Sequence, residues 1–295
     1  MRLQDKVIIV TGSTTGIGKA IAKRCVREGA KVIIHGLEKD LAAETLAEIG
    51  AEAEKIWNYK GAQIVVQTGD DNTTPANSHP VAVSHIEDLM SPGCPQRLVD
   101  LAVKTYGKLD GVVNNAAIIA QGNIQTTDAA FFHKMLSVNT VIPFLLIQAA
   151  LPHLSEARGA VLNIGSVNAY SGEPNLLPYS VSKGALTTLT RNLGDTLHRL
   201  NGVRVNQINP GWVLTENESK RKKEHGLKDD WYADLPRVYA PSGRLITPDE
   251  IAAASIYWLA DEAGPISGSV VELEQHPFIG RNPPKDPETL PGQKA

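Results

Sequence analysis

Short apolar runs rich in β-branched residues alternate along this chain with stretches whose apolar positions recur at helical spacing. Lys6-Val-Ile-Ile-Val-Thr11 is the first such run. In the helical pattern from Lys19 to Glu28, Ile17, Ile21 and Cys25 fall on one face, which makes Cys25 a core residue. Lys31 to His35 predicts a second strand, and residues 39–49 an amphipathic helix with Leu41, Thr45, Leu46 and Ile49 near one face. A strand over 80–86, a helix from Pro95 to Tyr106, a strand from Lys108 towards Ala117, a long helix from Asp128 to His153 and a strand from Gly159 to Ile164 follow. The series closes with a helix from Tyr179 to about Leu200, a strand from Gly202 to Ile208 and a last strand over 270–274. Strands of this kind, separated by helices, predict an α/β fold with a parallel sheet covered on both faces.

The segment 57–79 interrupts the alternation. Its polar, turn-rich core, Gly69-Asp-Asp-Asn-Thr-Thr-Pro-Ala-Asn77, reads as an excursion from the sheet edge with a short strand at 63–67. Asp70, Asp71 and His79 show no recognised ligand spacing, so a solvated loop is the reading and no metal site is expected.

Composition narrows the field. With 295 residues, 42% of them hydrophobic and 21% charged, the chain has the profile of an ordinary soluble domain of the doubly wound kind. A net charge of -3 and a pI near 6.2 provide no field for nucleic acid or an anionic membrane. Cys25 and Cys94 are the two cysteines; they form no CxxC pair and have no cysteine or histidine ligands nearby in sequence. The first apolar run is too short for a leader or a membrane span, and a reduced, cytoplasmic setting is the expectation.

Candidate chemistry sits at the ends of the strands. Gly12, Gly16 and Gly18 lie between a strand and a helix, where glycines permit a tight turn, backbone approach to a pyrophosphate and close packing. The helix N-terminus then offers free N–H groups to phosphate. Gly36-Leu37 ends the second strand, where an acid favours a ribose hydroxyl and a base a 2′-phosphate; this chain has neither, so NAD and NADP both stay open. Asn114, Asn115 and the alanines after them leave room for a ligand at a strand's carboxyl end. Asn139 is a polar residue amid apolar neighbours, and Ser166 ends another strand. Tyr179 and Lys183 stand four residues apart, which on a helix puts phenol and ammonium on one face. A fixed cation there favours the phenolate and lowers its pKa from about 10 towards working range.

Together these motifs resemble the short-chain dehydrogenase/reductase family, in its compact single-domain branch. Thr11-Gly-x-x-x-Gly-x-Gly18, Asn114-Asn-Ala, Asn139, Ser166, Tyr179-x-x-x-Lys183 and Pro210-Gly211 occur in that family's order over roughly residues 3–275. The resemblance implies one Rossmann-type, doubly wound domain over 1–275 with a seven-stranded parallel sheet, followed by an extension over 276–295. It implies Tyr179 as general acid or base, Lys183 lowering its pKa and holding the nicotinamide ribose, Ser166 bonding the reacting oxygen and Asn139 anchoring a relay water. Gly12, Gly16 and Ile17 would cradle the pyrophosphate, Asp88 the adenine, Asn114 the adenosine ribose, and Val213 with Thr215 the carboxamide. Thr15, Gly18, Gly36, Leu37, Leu89, Ala116, Pro210 and Gly211 complete the implied cofactor contacts.

Three departures from the family's pattern stand out. Ala117 replaces a usual glycine, Gly36-Leu37 lacks the selectors, and Val270-Val-Glu-Leu-Glu274 lacks the usual Val-Asp-Gly-Gly. Substrate recognition falls to Ser166, Asn168, Tyr179 and Trp212, with Glu173, Asn175, Trp231 and Tyr232 in support and 212–246 as the covering segment. The charge run within 219–228 reads as a solvated outer face, and a polyhydroxylated substrate fits better than an acyl chain. The expected protein is an NAD- or NADP-dependent oxidoreductase of a small alcohol or carbonyl compound, a homodimer or homotetramer built on the helices 128–153 and 179–200. A lyase or epimerase of the same family, and a silent dinucleotide-binding scaffold, are the alternatives.

Overall fold

A computed structural model describes residues 1–57, the backbone of 64–68, and residues 80–170 and 172–277. Eight strands form one sheet: β1 (Val7–Val10), β2 (Lys31–Gly36), β3 (Ile64–Thr68), β4 (Ala82–Ile86), β5 (Gly111–Asn114), β6 (Ala160–Ile164), β7 (Arg204–Pro210) and β8 (Val270–Leu273). Their order is β3-β4-β2-β1-β5-β6-β7-β8, every neighbouring pair parallel. The seven-stranded parallel sheet of a Rossmann-type α/β fold runs from β4 to β8. The strand expected in the insertion adds to its edge as β3. The rest of the insertion, with Asp70, Asp71 and His79, and the tail beyond Pro277 lie outside the described residues.

Helices close both faces. α1 (Gly16–Arg27), α2 (Lys39–Trp57) and α8 (Pro248–Leu259) cover one; α3 (Cys94–Tyr106), α5 (Ile142–Ala157) and α6 (Leu177–Asn201) cover the other. β1, β5, β6 and β7 are buried along their whole length; β1 is wholly apolar, whereas Asn163 of β6 and Asn206, Gln207 and Asn209 of β7 are buried polar residues. Cys25 is buried in the α1 face, as its helical position required.

α2 runs well past residue 49, to Trp57. The added stretch, Ala51-Glu-Ala-Glu-Lys-Ile56, is made of good helix formers, and Glu52 pairs with Arg27 of α1 at 2.6 Å. The helix expected over 128–153 is three pieces: α4 (Ala129–Leu136), a π-helical turn at Ser137–Val141, and α5. This run is long and apolar enough by composition to cross a membrane. In the fold it instead buries Leu146, Ile147, Ala150 and Leu154 against the sheet and α3, and the π turn points Asn139 inward.

The chain leaves β1 in one direction through β2 and β4, then resumes on its other side at β5. Strand order therefore reverses between β1 and β5, and a crevice opens outside the carboxyl ends of the strands.

Candidate active site

The crevice is a cleft of about 1340 Å³, lined along one half by the glycine loop and along the other by Ser166, Tyr179 and Lys183. In the loop, Gly12 and Gly16 have positive φ, +59° and +55°. A Cβ on Gly12 would stand 2.8 Å from the Cα of Ala116, and one on Gly18 would strike the Gly12 carbonyl and the Asn115 amide. Only glycine fits at either place. α1 begins at Thr15 without a side-chain cap, so its first N–H groups and positive dipole end face the cleft. That uncapped cradle, opened by its glycines, fits a pyrophosphate.

His35 fixes the loop from below. Gly12 N donates to its Nδ1 at 3.3 Å, Ser13 N donates to its carbonyl at 2.8 Å, and its Nε2 lies 2.8 Å from the Glu87 carbonyl. Burial lowers the imidazole to about 4, so it is neutral at pH 7; its partners make Nδ1 the acceptor and Nε2 the donor.

Thr15, Gly16, Ile17, Gly36, Leu37, Asp88, Leu89 and Ala116 line this half; Pro210, Gly211, Val213 and Thr215 line its junction with the other. Gly18 and Asn114 do not line it. Gly18 is used for packing, and Asn114 turns into the sheet, donating to Asn163 Oδ1 at 2.9 Å. Its neighbour Asn115 holds the cleft position instead, donating to the carbonyls of Thr11 and Gly12, both at 2.9 Å. Gly36 lacks an acid for a steric reason as well. A Cβ there would collide with the Thr14 side chain.

Tyr179 and Lys183 project from one face of α6 as their spacing required, and both are nearly fully buried. The Ser166 hydroxyl lies beside the Tyr179 phenol and bears on its acidity. Ser166 itself is placed by Asn209, whose Oδ1 accepts its N–H at 3.1 Å. The expected electrostatics are corrected here. Burial pushes the phenol above its ordinary value; the Ser166 hydroxyl and the Arg221 charge oppose this, and the Glu173 charge adds to it. Lys183 is itself lowered to about 8 by burial, and its ammonium is spent on the Ile164 carbonyl at 2.7 Å. Desolvation outweighs the Arg221 charge in setting the phenol.

Asn139 stands behind the cleft. Its Oδ1 accepts Ile118 N at 2.8 Å, and its Nδ2 donates to the Ile118 carbonyl and to Ser182 Oγ, both at 3.0 Å. Ser182 Oγ donates in turn to the Tyr179 carbonyl at 2.6 Å. The asparagine thus braces the tyrosine's helical turn.

On the substrate side Asn168, Glu173 and Trp212 line the cleft, while Asn175 turns away and its carbonyl accepts Gly122 N at 2.8 Å. Trp231 stacks on Trp212 from behind, with centroids 5.4 Å apart, and Tyr232 meets Trp231 edge-on. The charge run is not wholly a solvated face. α7 (Glu216–Glu224) turns Glu218, Arg221 and Lys222 towards the cleft. Their spacing of three and four residues was the available signal, since it places all three on one face. Lys134 and His276 also line the cleft without having been singled out from sequence.

Folding brings together a group that sequence separation concealed: His85, Glu87 and Cys94, with ligand atoms within 4.8 Å of one another. A cation already occupies it. Arg97 holds the Glu87 carboxylate through Nε at 3.0 Å and through a terminal nitrogen, and His85 Nε2 lies 2.8 Å from the same carboxylate.

A doubly wound sheet, a glycine loop at its switch point and a serine–tyrosine–lysine group across the cleft define a dinucleotide-binding oxidoreductase architecture. The chain belongs to the short-chain dehydrogenase/reductase family. A family model described as enoyl-(acyl carrier protein) reductase matches residues 49–274, and one described as short chain dehydrogenase matches residues 6–70. The 2-(S)-hydroxypropyl-CoM dehydrogenase 3 of Xanthobacter autotrophicus is 32% identical over 92% of this chain and 96% of its own length. The L-fucose dehydrogenase of Mus musculus is 34% identical over 89% and 84%. An uncharacterized oxidoreductase of Thermotoga maritima is 32% identical over 93% and 98%.

Proposed function

We propose that this protein interconverts a small polar alcohol and its carbonyl compound, with Ser166, Tyr179 and Lys183 at the reacting centre and NAD(H) or NADP(H) as cofactor. When bound, the dinucleotide supplies or receives the hydride. One observation carries the reading: Ser166, Tyr179 and Lys183 line the same cleft as the uncapped glycine-loop helix.

The Tyr179 hydroxyl gives or takes the proton of the substrate oxygen, and the Ser166 hydroxyl donates to that oxygen as charge develops on it. The Lys183 ammonium supplies positive charge beside the pair and binds the cofactor ribose. Asn139 anchors a water that hands protons to Lys183. Thr15, Gly16 and Ile17 hold phosphate, Asp88 and Leu89 the adenine end, and Val213 and Thr215 the nicotinamide end. Asn168, Glu173 and Trp212 suit a hydroxylated substrate, in keeping with the activity named for the mouse relative. Val141 of the π turn, Phe144 and Leu145 of α5 and Val181 of α6 leave apolar surface exposed, which supports a homodimer or homotetramer.

Tyr179→Phe tests the reading. Reduced-nicotinamide absorbance with a panel of sugars, polyols and ketones should show turnover by the native chain and a loss of roughly 10²–10⁴-fold in the variant. Dinucleotide titration should show cofactor binding retained. Undiminished turnover by the variant overturns the assignment.

A further inference from the structure

We propose that the substrate is a small hydroxylated acid, and that Arg221 binds its anionic group, a carboxylate or another oxyanion, within the cleft. The inference rests on the oxidoreductase reading for the identity of the reacting centre.

The anion site is built by α7. Thr215 caps the helix, its hydroxyl accepting Glu218 N at 3.0 Å, and this fixes Glu218, Arg221 and Lys222 on the face turned to the cleft. Glu218 is buried and both its oxygens are engaged. Oε1 accepts the Trp212 indole N–H at 2.9 Å and has the Lys222 ammonium at 3.8 Å; Oε2 accepts from Arg221. Lys222 lies over the rings of Trp212 at 5.0 Å and Trp231 at 5.7 Å.

Glu218 faces two partly exposed cations, Arg221 and Lys222, and Glu274, whose carboxylate accepts Trp212 N at 3.3 Å, stands on the same wall. Arg221 has five N–H donors in a planar fork, and among the described residues Glu218 engages one terminal nitrogen. The remaining donors match an oxyanion bidentately. Arg221 lines the same cleft as Ser166 and Tyr179, and its charge acts on the Tyr179 phenol. A substrate long enough to span from the phenol to this wall would meet the guanidinium.

Glu173 also lines the cleft and acts on the phenol with opposite sign. It is an acceptor for hydroxyl groups and repels an acid. A substrate with hydroxyls towards Glu173 and an anion towards Arg221 satisfies both walls, whereas a neutral sugar leaves the remaining guanidinium donors unused.

The test uses 3-hydroxybutanoate and gluconate, each against its amide, with the full chain and its cofactor. Turnover should favour the acid by roughly ten- to hundredfold in kcat/KM, chiefly through KM. In Arg221→Gln the ratio of acid to amide should collapse towards one, and Arg221→Lys should keep part of it. Raising salt from about 0.05 to about 0.5 M should shrink the native ratio. Equal use of acid and amide by the native chain, or an unchanged ratio in Arg221→Gln, overturns the proposal. If Arg221→Gln does not fold, Arg221→Lys and the salt series decide; a ratio insensitive to both overturns it. Trp212 and Trp231 give a readout independent of turnover, because an anion at Arg221 perturbs their fluorescence. If none of the four compounds is oxidised, acid binding that the amide lacks and Arg221→Gln abolishes upholds the anion site while the redox reading falls. Absence of acid binding overturns the site itself.

Discussion

The Lys183 ammonium donates to the Ile164 carbonyl at 2.7 Å and stands 5.8 Å from the centre of the Tyr179 ring. The bond ties α6 to the end of β6, two residues before Ser166, so the strand bearing the serine and the helix bearing the tyrosine are locked at the point where they must cooperate. Anchoring at that point is carried by a cation buried in the protein. Desolvation then governs the chemistry of both groups, lowering Lys183 to about 8 and raising the phenol.

The buried ammonium has a stability signature. Its ordinary value is 10.5 and its value in the fold is about 8. Between those limits the unfolded chain binds more protons than the folded one, so unfolding free energy rises with pH. Below about 8 both states are charged and the fold bears the whole desolvation cost; above about 10.5 that cost is gone. The native chain should therefore gain roughly 3 kcal/mol on Lys183→Met as pH climbs through this window. Urea midpoints of both proteins at pH 7 and about 10.5 measure the gain, and a constant difference contradicts a buried ammonium.

Asn209 makes a second prediction, because it positions Ser166 without touching substrate. It is fully buried. Its Oδ1 accepts from Ser166 N at 3.1 Å and Gln207 Nε2 at 2.7 Å, and its Nδ2 donates to the Tyr170 hydroxyl at 3.2 Å. Behind it the bonds continue from Gln207 to Thr187 and Thr190, and from Asn163 to Asn114. Asn209→Ala strands buried donors at a cost of about 1–3 kcal/mol, read as a lower denaturant midpoint. Turnover should fall through kcat rather than KM, since the serine loosens while Tyr179 and Lys183 stay anchored. Equal losses in kcat and cofactor affinity would instead indicate general damage.

How much of this was legible in the sequence depends on the range of the interaction. Tyr179 and Lys183 share a helical turn, and the glycines at 12, 16 and 18 sit in one loop, so local spacing was enough to place them. Asn114 and Asn115 are adjacent at the end of β5, and which of them meets the cleft depends on Asn163 of the neighbouring strand, three residues before the serine. No local pattern encodes that. His35 was read as a strand residue; its hold on Gly12 requires β2 and the glycine loop to be packed first. The π turn at Asn139 was hidden because its residues keep helical periodicity apart from one extra position. Arg221 and Lys222 were assigned to solvent on charge alone, and the buried Glu218 that turns them inward is apparent only when α7 is capped and Trp212 is in place.

In the proposed reading the choice between NAD and NADP falls at Gly36, and its geometry yields the last prediction. A Cβ at this position would overlap the methyl and hydroxyl of Thr14 and lie 3.1 Å from its Cβ. A carboxylate cannot simply be added at the end of β2. Gly36→Asp alone should weaken binding of both dinucleotides, because Thr14 is buried and belongs to the loop proposed to hold the phosphates. Thr14→Ala removes the two clashing atoms and leaves a Cβ contact that a shift of a few tenths of an ångström relieves. The double variant should recover NAD binding, with a coupling energy of about 0.5–3 kcal/mol between the two sites. It should also discriminate against NADP, whose 2′-phosphate would meet the new carboxylate. Fluorescence titration of the four proteins with each reduced dinucleotide completes the cycle. Undisturbed NAD binding by Gly36→Asp alone would show that the loop yields freely at Thr14, and that something other than this contact keeps an acid out of the position.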